Sequence, residues 1–192
     1  MVRGLLRQLS HFPSHAAVSS ATAIGNLARH TGGLDVLLES GEGVLEMLED
    51  LADMVDDALE DARAEALTAL CNLLEDGRAL QVLVRSADAL DDIVSGVASC
   101  VAPYRVREAM DGRNMEVVTD AAALIGRVLT HPLGEAAVLA HEHAAGVAVG
   151  LAAMVHRCAD QESSEVALEA LCAMLDGARE RPMLVCHMYI YE

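Results

Sequence analysis

The residues of this chain best suited to chemistry are His141, Glu142 and His143, in the stretch AHEHAA. Imidazole and carboxylate are common ligands of zinc and related metals. Residues two apart on a helix point in different directions, so these histidines share an ion only if the backbone unwinds. No third ligand follows from the spacing. We therefore expect no metal and no cofactor, and polar residues at the end of a groove-lining helix; a helical metalloenzyme is the least favoured alternative.

Other catalytic signatures are missing from the sequence. It contains no P-loop, HExxH, GxSxG or CxxC motif. The stretch GEGVLE (41–46) begins like a dinucleotide-binding fingerprint, but it lacks the third glycine and follows a predicted helix. The chain is therefore predicted not to be an enzyme and to have no catalytic residues.

The composition favours closely packed helices. Apolar residues make up 53% of the chain, yet aromatic residues make up only 2%, so Ala, Leu, Val, Ile and Met must form the core. Five cysteines without a CxxC pair favour free thiols in a reducing compartment. Cys71 and Cys172 are expected to be buried and inert. The longest uncharged apolar run, Ala144–Val155, is too short to span a bilayer.

The net charge of −17 argues against nucleic-acid and membrane partners, which require clustered Lys and Arg. Acidic residues concentrate between Glu42 and Glu65, where Arg63 is the only opposing cation. This stretch is predicted to be a solvated helix face, with a surface for a basic partner as the alternative. We expect a cytoplasmic protein, with the nucleus as a second location. The acid-free, arginine-bearing residues 1–34 leave an organelle transit peptide as a further alternative.

One short helix-forming sequence motif, which we call the phrase, occurs four times along the chain. A helix that carries it is called a phrase helix. In register, one column holds a small residue each time, at intervals of 46, 55 and 46 residues: Gly25, Cys71, Gly126 and Cys172. Large apolar residues stand one position before and two after this column, and small residues or Ser stand five before it. Small residues on one face of a helix allow another helix to approach closely. A stack of such units buries apolar faces that a single unit would leave exposed. After each phrase the pattern predicts a short second helix and a third helix, as in 32–41 and 43–55.

The phrases SATAIGNL (20–27) and ALTALCNL (66–73) resemble the A-x-x-x-L-x-N-L pattern of armadillo repeats, and LLESGEGVLEML (37–48) resembles the turn that follows in that family. The resemblance covers nearly the whole chain and implies an all-α, right-handed superhelical solenoid of about four repeats, the last incomplete. HEAT repeats are the nearest alternative. A single domain over 1–192 is expected, with repeats at about 1–42, 43–88, 89–145 and 146–192.

The resemblance also implies a binding groove without catalysis. Peptide-transport members of the family hold extended peptides with a Trp three positions before the small residue and an Asn one after it. The Asn is present here at 26 and 72, but no Trp occurs in the chain. Each Asn either binds a partner's backbone or satisfies its own helix or a neighbouring loop. By register, the expected groove residues are Asn26, Asn72, Arg85, Arg127 and His141.

The resemblance thus implies a scaffold or adaptor that binds a protein or peptide of basic or mixed charge. A chaperone cofactor that promotes nucleotide release is the alternative within the same family. The second interval, from Cys71 to Gly126, is nine residues longer than the other two. We expect an insertion loop at 102–114, whose Arg105, Arg107 and Arg113 either bind a partner or pair with acidic helices. The apolar end, 179–192, predicts a piece of a longer solenoid or an end that associates with another surface.

Overall fold

The computed structural model describes residues 2–11, 13–39, 43–56, 60–110 and 114–180. Within these ranges the chain forms twelve α-helices and no strand, which confirms the predicted all-α class. In chain order the helices are α1 (Val2–Leu9), α2 (His15–Ala28), α3 (Thr31–Leu38), α4 (Gly43–Asp56), α5 (Glu60–Leu73), α6 (Gly77–Leu83), α7 (Ala87–Val101), α8 (Pro103–Met110), α9 (Met115–Leu129), α10 (Pro132–Ala140), α11 (Ala144–Arg157) and α12 (Gln161–Glu180).

The four repeated phrases lie on equivalent helices. Gly25, Cys71, Gly126 and Cys172 fall on α2, α5, α9 and α12. A short helix and a longer third helix follow α2, α5 and α9, in the predicted order. The third helix predicted for the fourth repeat would lie in residues 181–192, outside the described residues, and most of the apolar end, 179–192, lies there too.

The chain divides into two compact units, Met1–Ile93 and Val94–Glu192. Helices α8 to α12 of the second unit begin 100 or 101 residues after α1 to α5 of the first. The contacts correspond as well, because α1 packs on α2 and α4 while α8 packs on α9 and α11. Each unit therefore contains the same five-helix arrangement, within which two phrase helices form the most extensive contact, α2 with α5 and α9 with α12.

This correspondence corrects the predicted insertion loop at 102–114. Residues Pro103–Met110 form helix α8, which occupies in the second unit the position that α1 occupies in the first. Pro103 suggested a break, but proline at the first position of a helix needs no backbone hydrogen bond. The longer interval therefore contains an additional helix, α8, which is the first helix of the second unit.

The small residues allow the phrase helices to approach each other. A Cβ atom on Gly25 would lie 3.3 Å from the Ala69 Cα, and one on Gly126 would lie 3.5 Å from the Ala170 Cβ. A Cβ atom on Gly33 would collide with the carbonyl oxygen of Leu27, and the second unit repeats that contact between Gly134 and Val128. In both units glycine thus lets a short helix cross against the end of the phrase helix.

One cysteine differs from its prediction. Cys71 is buried, as expected, but Cys172 is exposed, because the face of α12 that bears it is not covered by the described residues. No single described helix is long and apolar enough to cross a membrane; α10 and α11 reach that length and composition only together, and they are bent by 100°.

Candidate functional site

The predicted groove residues lie on several helices of both units. Asn26, on α2, is exposed, and Arg85 is exposed between α6 and α7. Arg127, on α9, and His141, which caps the end of α10, are partly buried in the second unit. Their joint role in a groove therefore stays a prediction.

Asn72 is engaged within the first unit. Its side-chain amide on α5 donates a hydrogen bond of 3.2 Å to the carbonyl oxygen of Gly25 on α2. The contact ties two neighbouring phrase helices at their closest approach, a role that differs from both a bond within its own helix and one to a loop. In the second unit the corresponding residue is Ala173, which carries no donor.

The two histidines form a local turn. The backbone N–H of His143 donates to Nδ1 of His141 at 3.1 Å, and the two rings lie 5.2 Å apart. The Glu142 carboxylate lies 3.9 Å from His143 Nε2. Across the described part of the chain, no group of three or more His, Cys, Asp or Glu side chains is arranged to hold a metal ion.

The arginines predicted for the insertion lie on helix α8, except Arg113, which is outside the described residues. Arg105 stacks beside the Tyr104 ring, with its guanidinium carbon 5.7 Å from the ring centroid, and it lies 3.7 Å from the Glu108 carboxylate. Arg107 is exposed on the same helix. Arg105 thus has an acidic neighbour within its own helix, where its contribution is small because both groups are solvated.

An acidic face is the most strongly charged feature of the first unit. It comprises side chains of α4 and α7, namely Glu46, Glu49, Asp50, Asp53, Asp56, Asp88, Asp91 and Asp92. Ser86 fixes the two helices next to each other. Its hydroxyl donates to the Glu49 carboxylate at 2.8 Å and accepts from the backbone N–H of Ala89, near the start of α7, at 3.3 Å.

Arg63 lies near this face and donates hydrogen bonds to the backbone of α4. It is buried, and its Nε donates to the carbonyl oxygen of Val55 at 2.9 Å and its Nη2 to that of Asp56 at 3.4 Å. These carbonyls belong to the last turn of α4, whose orphan acceptors favour a cationic donor. The guanidinium thus caps α4, while Glu46, Asp53 and Asp56 stay exposed to solvent.

Two carboxylates of the acidic face, Asp50 and Asp92, have a raised pKa. Burial, and then repulsion from Glu46, Asp53 and Glu49, raises the pKa of Asp50 from 3.8 to about 6. The Oδ2 atom of Asp50 is buried and has no hydrogen-bond donor among the described residues. Burial also raises the pKa of Asp92, followed by repulsion from Asp53 and Asp56 on α4. The face therefore has a negative potential that a cationic partner would relieve.

An open cleft of about 550 Å³ lies where α2 and α5 begin. Its walls combine apolar side chains with two carboxylates, and the lining residues are Pro13, Ser14, His15, Val18, Glu60, Asp61 and Ala62. Ser14 caps α2, because its hydroxyl accepts from the backbone N–H of Ala17 at 3.2 Å. Sequence patterns did not indicate this cleft, since it depends on two helix starts that are separated along the chain.

The second unit has a polar contact at the corresponding place. Thr119 and Ser163 stand 101 residues after Val18 and Ala62, and their hydroxyl oxygens are 2.8 Å apart. Asp160 accepts from the backbone N–H and the hydroxyl of Ser163 at 2.8 and 2.6 Å, and these bonds lower the pKa of Asp160. The Thr119–Ser163 hydrogen bond therefore joins the two phrase helices of the second unit at the place where those of the first unit border the cleft.

No protein-family profile and no curated protein sequence matches this chain. Among solved structures, a designed armadillo repeat protein, YIII(Dq)4CqI, is 18% identical with a TM-score of 0.35, over 91% of this chain and 100% of the designed one. An engineered protein is 21% identical with a TM-score of 0.40, over 100% of this chain and 54% of its own. A structure from work on the interaction between cadherin and beta-catenin is 18% identical with a TM-score of 0.39, over 94% of this chain and 38% of its own.

Likenesses of this size say nothing about partners, and the assignment of the fold depends on the helices themselves. Four copies of one phrase lie on α2, α5, α9 and α12, with a short and a third helix after each of the first three. In each unit the glycine of the first phrase helix faces an alanine of the next. The chain is an all-helical repeat protein with two units of the same helix order, and its repeats follow the helix order predicted from the resemblance to armadillo repeats.

Proposed function

We propose that this chain is a non-enzymatic scaffold whose first unit binds a basic segment of a partner protein. The acidic face carries the proposal, because it gathers eight carboxylates on α4 and α7, and burial followed by repulsion from neighbouring carboxylates raises the pKa of Asp50 and of Asp92. Cations that approach such a surface relieve this repulsion and are attracted over a distance.

The cleft extends this proposal to individual side chains. Glu60 and Asp61 offer carboxylates to an ammonium or guanidinium group, while Val18 and Ala62 offer an apolar wall to the methylene stem of Lys or Arg. Only three residues of the chain separate the end of α4 from Glu60. A basic segment is therefore expected to contact the acidic face and to insert one side chain into the cleft.

The acidic face is tested with a fluorescent peptide of alternating Lys and Arg, in anisotropy titrations at low and at moderate salt. Glu46→Lys with Asp53→Lys reverses two exposed charges seven residues apart on α4, and we expect the affinity to fall at least about tenfold. The matched control is Glu169→Lys with Asp176→Lys, which makes the same charge change at the same spacing on α12.

Affinity of the unaltered chain should decrease with salt, because the attraction is screened. Equal losses for the two charge-reversed proteins would show a nonspecific effect of net charge and would refute the site. An affinity that does not respond to salt would refute the electrostatic mechanism.

A separate double substitution tests the cleft. Val18→Thr with Ala62→Ser introduces the pair found at 119 and 163, and we expect it to bridge α2 and α5 and narrow the cleft. Binding of the same peptide should weaken, while the helical circular dichroism of the protein stays unchanged. Undiminished binding would exclude the cleft and leave the acidic face alone as the binding surface.

A further inference from the structure

A stripe of apolar side chains runs along the exposed face of α12. Leu168, Cys172 and Leu175 are spaced four and three residues apart, so they lie on one side of the helix. Leu168 is 46% and Leu175 is 47% exposed, and Cys172 is exposed between them. Three neighbouring apolar side chains on an open helix face are the usual composition of a packing surface.

The first unit carries the same three side-chain types at the equivalent positions, where they are buried. Leu67, Cys71 and Leu74, each 101 residues earlier, have the same types and spacing, but they are 0%, 9% and 4% exposed. The same sequence of side chains is thus interior at one copy of the phrase helix and uncovered by the described residues at another. The stripe on α12 has the composition of a contact surface.

The charges that flank the stripe indicate its occupant. Glu165 lies seven residues before Cys172 and Arg179 seven after it, and both are exposed. Seven residues are about two turns, or about 10.5 Å along the helix, so both lie near the line of the stripe. If a second α12 runs in the opposite direction with its Cys172 opposite the first, each Glu165 faces an Arg179, and each Leu168 faces a Leu175.

We propose that this stripe is the contact between two copies of the chain, with α12 packed antiparallel on α12 around a two-fold axis at Cys172. Such an isologous contact requires a surface that is complementary to itself, and the order Glu165, Leu168, Cys172, Leu175, Arg179 has this property. The corresponding positions of the first unit are Ala64, on α5, and Arg78, on α6, and Arg78 pairs with Asp35 and Asp76. Only the stripe on α12 is flanked by opposite charges suited to a copy of itself.

Two other features of α12 affect the strength of this contact. Gln161 donates to the Glu165 carboxylate at 2.6 Å, on the solvent side of the helix. Glu169 and Asp176 lie along one edge of the stripe, where those of the two copies would be near each other. Together with the net charge of −17, this edge makes association weaker at very low salt and stronger at moderate salt.

Sedimentation velocity of the full chain over a wide concentration range, under reducing conditions, tests the proposal. We expect a monomer–dimer equilibrium that Leu168→Glu with Leu175→Glu shifts to monomer, and that Leu133→Glu, an exposed leucine of α10, leaves unchanged. A chain that is monomeric at every concentration would overturn the proposal. So would a loss of thermal stability in the Leu168→Glu, Leu175→Glu variant at a concentration so low that the unaltered chain is monomeric too, because the stripe would then be covered within one chain.

A charge swap tests the antiparallel geometry. Glu165→Arg alone, or Arg179→Glu alone, should raise the dimer dissociation constant about tenfold, because each places two pairs of like charges in the contact. The two substitutions together restore opposite charges and should restore the affinity. If the double variant stays as weak as the single ones, the antiparallel arrangement is wrong.

A bis-maleimide cross-linker adds a direct measurement of the axis. It should join the two copies through Cys172, and Cys172→Ser should abolish the cross-linked dimer. Cross-linking that persists in the Cys172→Ser variant would place the contact elsewhere. This contact does not depend on the acidic face, so peptide binding is expected to survive in the monomeric variant.

Discussion

The third helices of the two units occupy the same place and have opposite character. Helix α4 carries five carboxylates, whereas the corresponding α11, AAGVAVGLAAMVHR, carries none. The starts of the phrase helices differ in the same way, with a cleft beside Val18 and Ala62 in the first unit and a Thr119–Ser163 hydrogen bond in the second. A common backbone arrangement therefore supports a charged, recessed surface in one unit and an apolar third helix in the other.

The largest effect is expected where the two units are most alike. Gly33→Ala and Gly134→Ala each place a Cβ atom against a backbone carbonyl of the preceding phrase helix, Leu27 or Val128. Since backbone atoms cannot move aside cheaply, each substitution should lower the free energy of unfolding by about 3 kcal/mol. Urea denaturation measures this loss, with Gly32→Ala, which meets no atom, as the control. A large loss at only one site would break the equivalence of the units.

The capping of the third helices is the next difference. Arg63 donates to Val55 at 2.9 Å, whereas Ser164, 101 residues later, donates to the carbonyl of Val155 at only 3.4 Å. Replacing Arg63 by Ser gives the first unit the weaker contact of the second, and we expect a loss of about 2 kcal/mol, because hydrogen bonds from charged groups are the stronger ones. Urea denaturation measures this loss.

Arg78→Ser is the control for Arg63→Ser, because its ion pairs with Asp35 and Asp76 lie in solvent and its effect should be much smaller. Equal effects of the two substitutions would contradict the role of Arg63 as a buried cap.

The first unit has one hydrogen bond, from Asn72 to Gly25, for which Ala173 of the second unit offers no side-chain donor. Asn72→Ala should cost about 1 kcal/mol of stability, while Asn26→Ala, an exposed neighbour of Gly25, should cost little. Conversely, Ala173→Asn offers the second unit the donor that it lacks and should slow hydrogen exchange of amides in α9 and α12. If Asn72→Ala leaves stability unchanged but weakens partner binding, the original groove assignment of Asn72 is the better one.

The acidic face predicts a pH dependence that α11 does not share. Because the pKa of Asp50 is raised to about 6, its ionised form is disfavoured in the folded protein. Below its unfolded pKa of 3.8 the side chain is protonated in both states and has no effect. Stability then falls as the pH rises from about 4 to about 6, and above that range the cost is complete.

Asp50→Asn should therefore stabilise the protein by about 1 kcal/mol at neutral pH, a value reduced for the partial exposure of the side chain, and should have no effect near pH 3.5. Thermal denaturation at the two pH values measures the difference, with Glu142→Gln as an exposed control. A stabilisation of equal size at both pH values would refute the electrostatic origin.

The smallest effect concerns the glycines at the contacts between phrase helices. Gly126→Ala adds a methyl group at an ordinary contact distance from Ala170, so the higher helix propensity of alanine should stabilise the second unit by up to about 1 kcal/mol. At Gly25 the contact with Ala69 is tighter, and the same gain should be offset by a shift of the neighbouring helix. Equal changes in the free energy of unfolding of the two variants, measured by denaturation, would mean that the two helix contacts are equally close.

The sequence by itself determined the helices and their order. Recurrent apolar spacing and a column of small residues placed the phrase helices correctly, because helix periodicity and the need for close approach are written locally in residue size and polarity. The same reasoning missed helix α8, since Pro103 and Gly112 resemble loop signals while the position of α8 depends on its packing against α9 and α11. Local propensity cannot show that a segment repeats the role of α1.

The tertiary structure alone decided what each side chain does. Asn72 donates to Gly25, 47 residues away, and Arg63 donates to the carbonyl of Val55 in the last turn of α4. Cys71 and Cys172 carry the same predicted role, yet one is buried and the other exposed, because burial depends on which helices pack beside a face and not on the phrase itself. Residue spacing fixes which side chains share a face of a helix, but only the assembled fold determines whether protein or solvent meets that face.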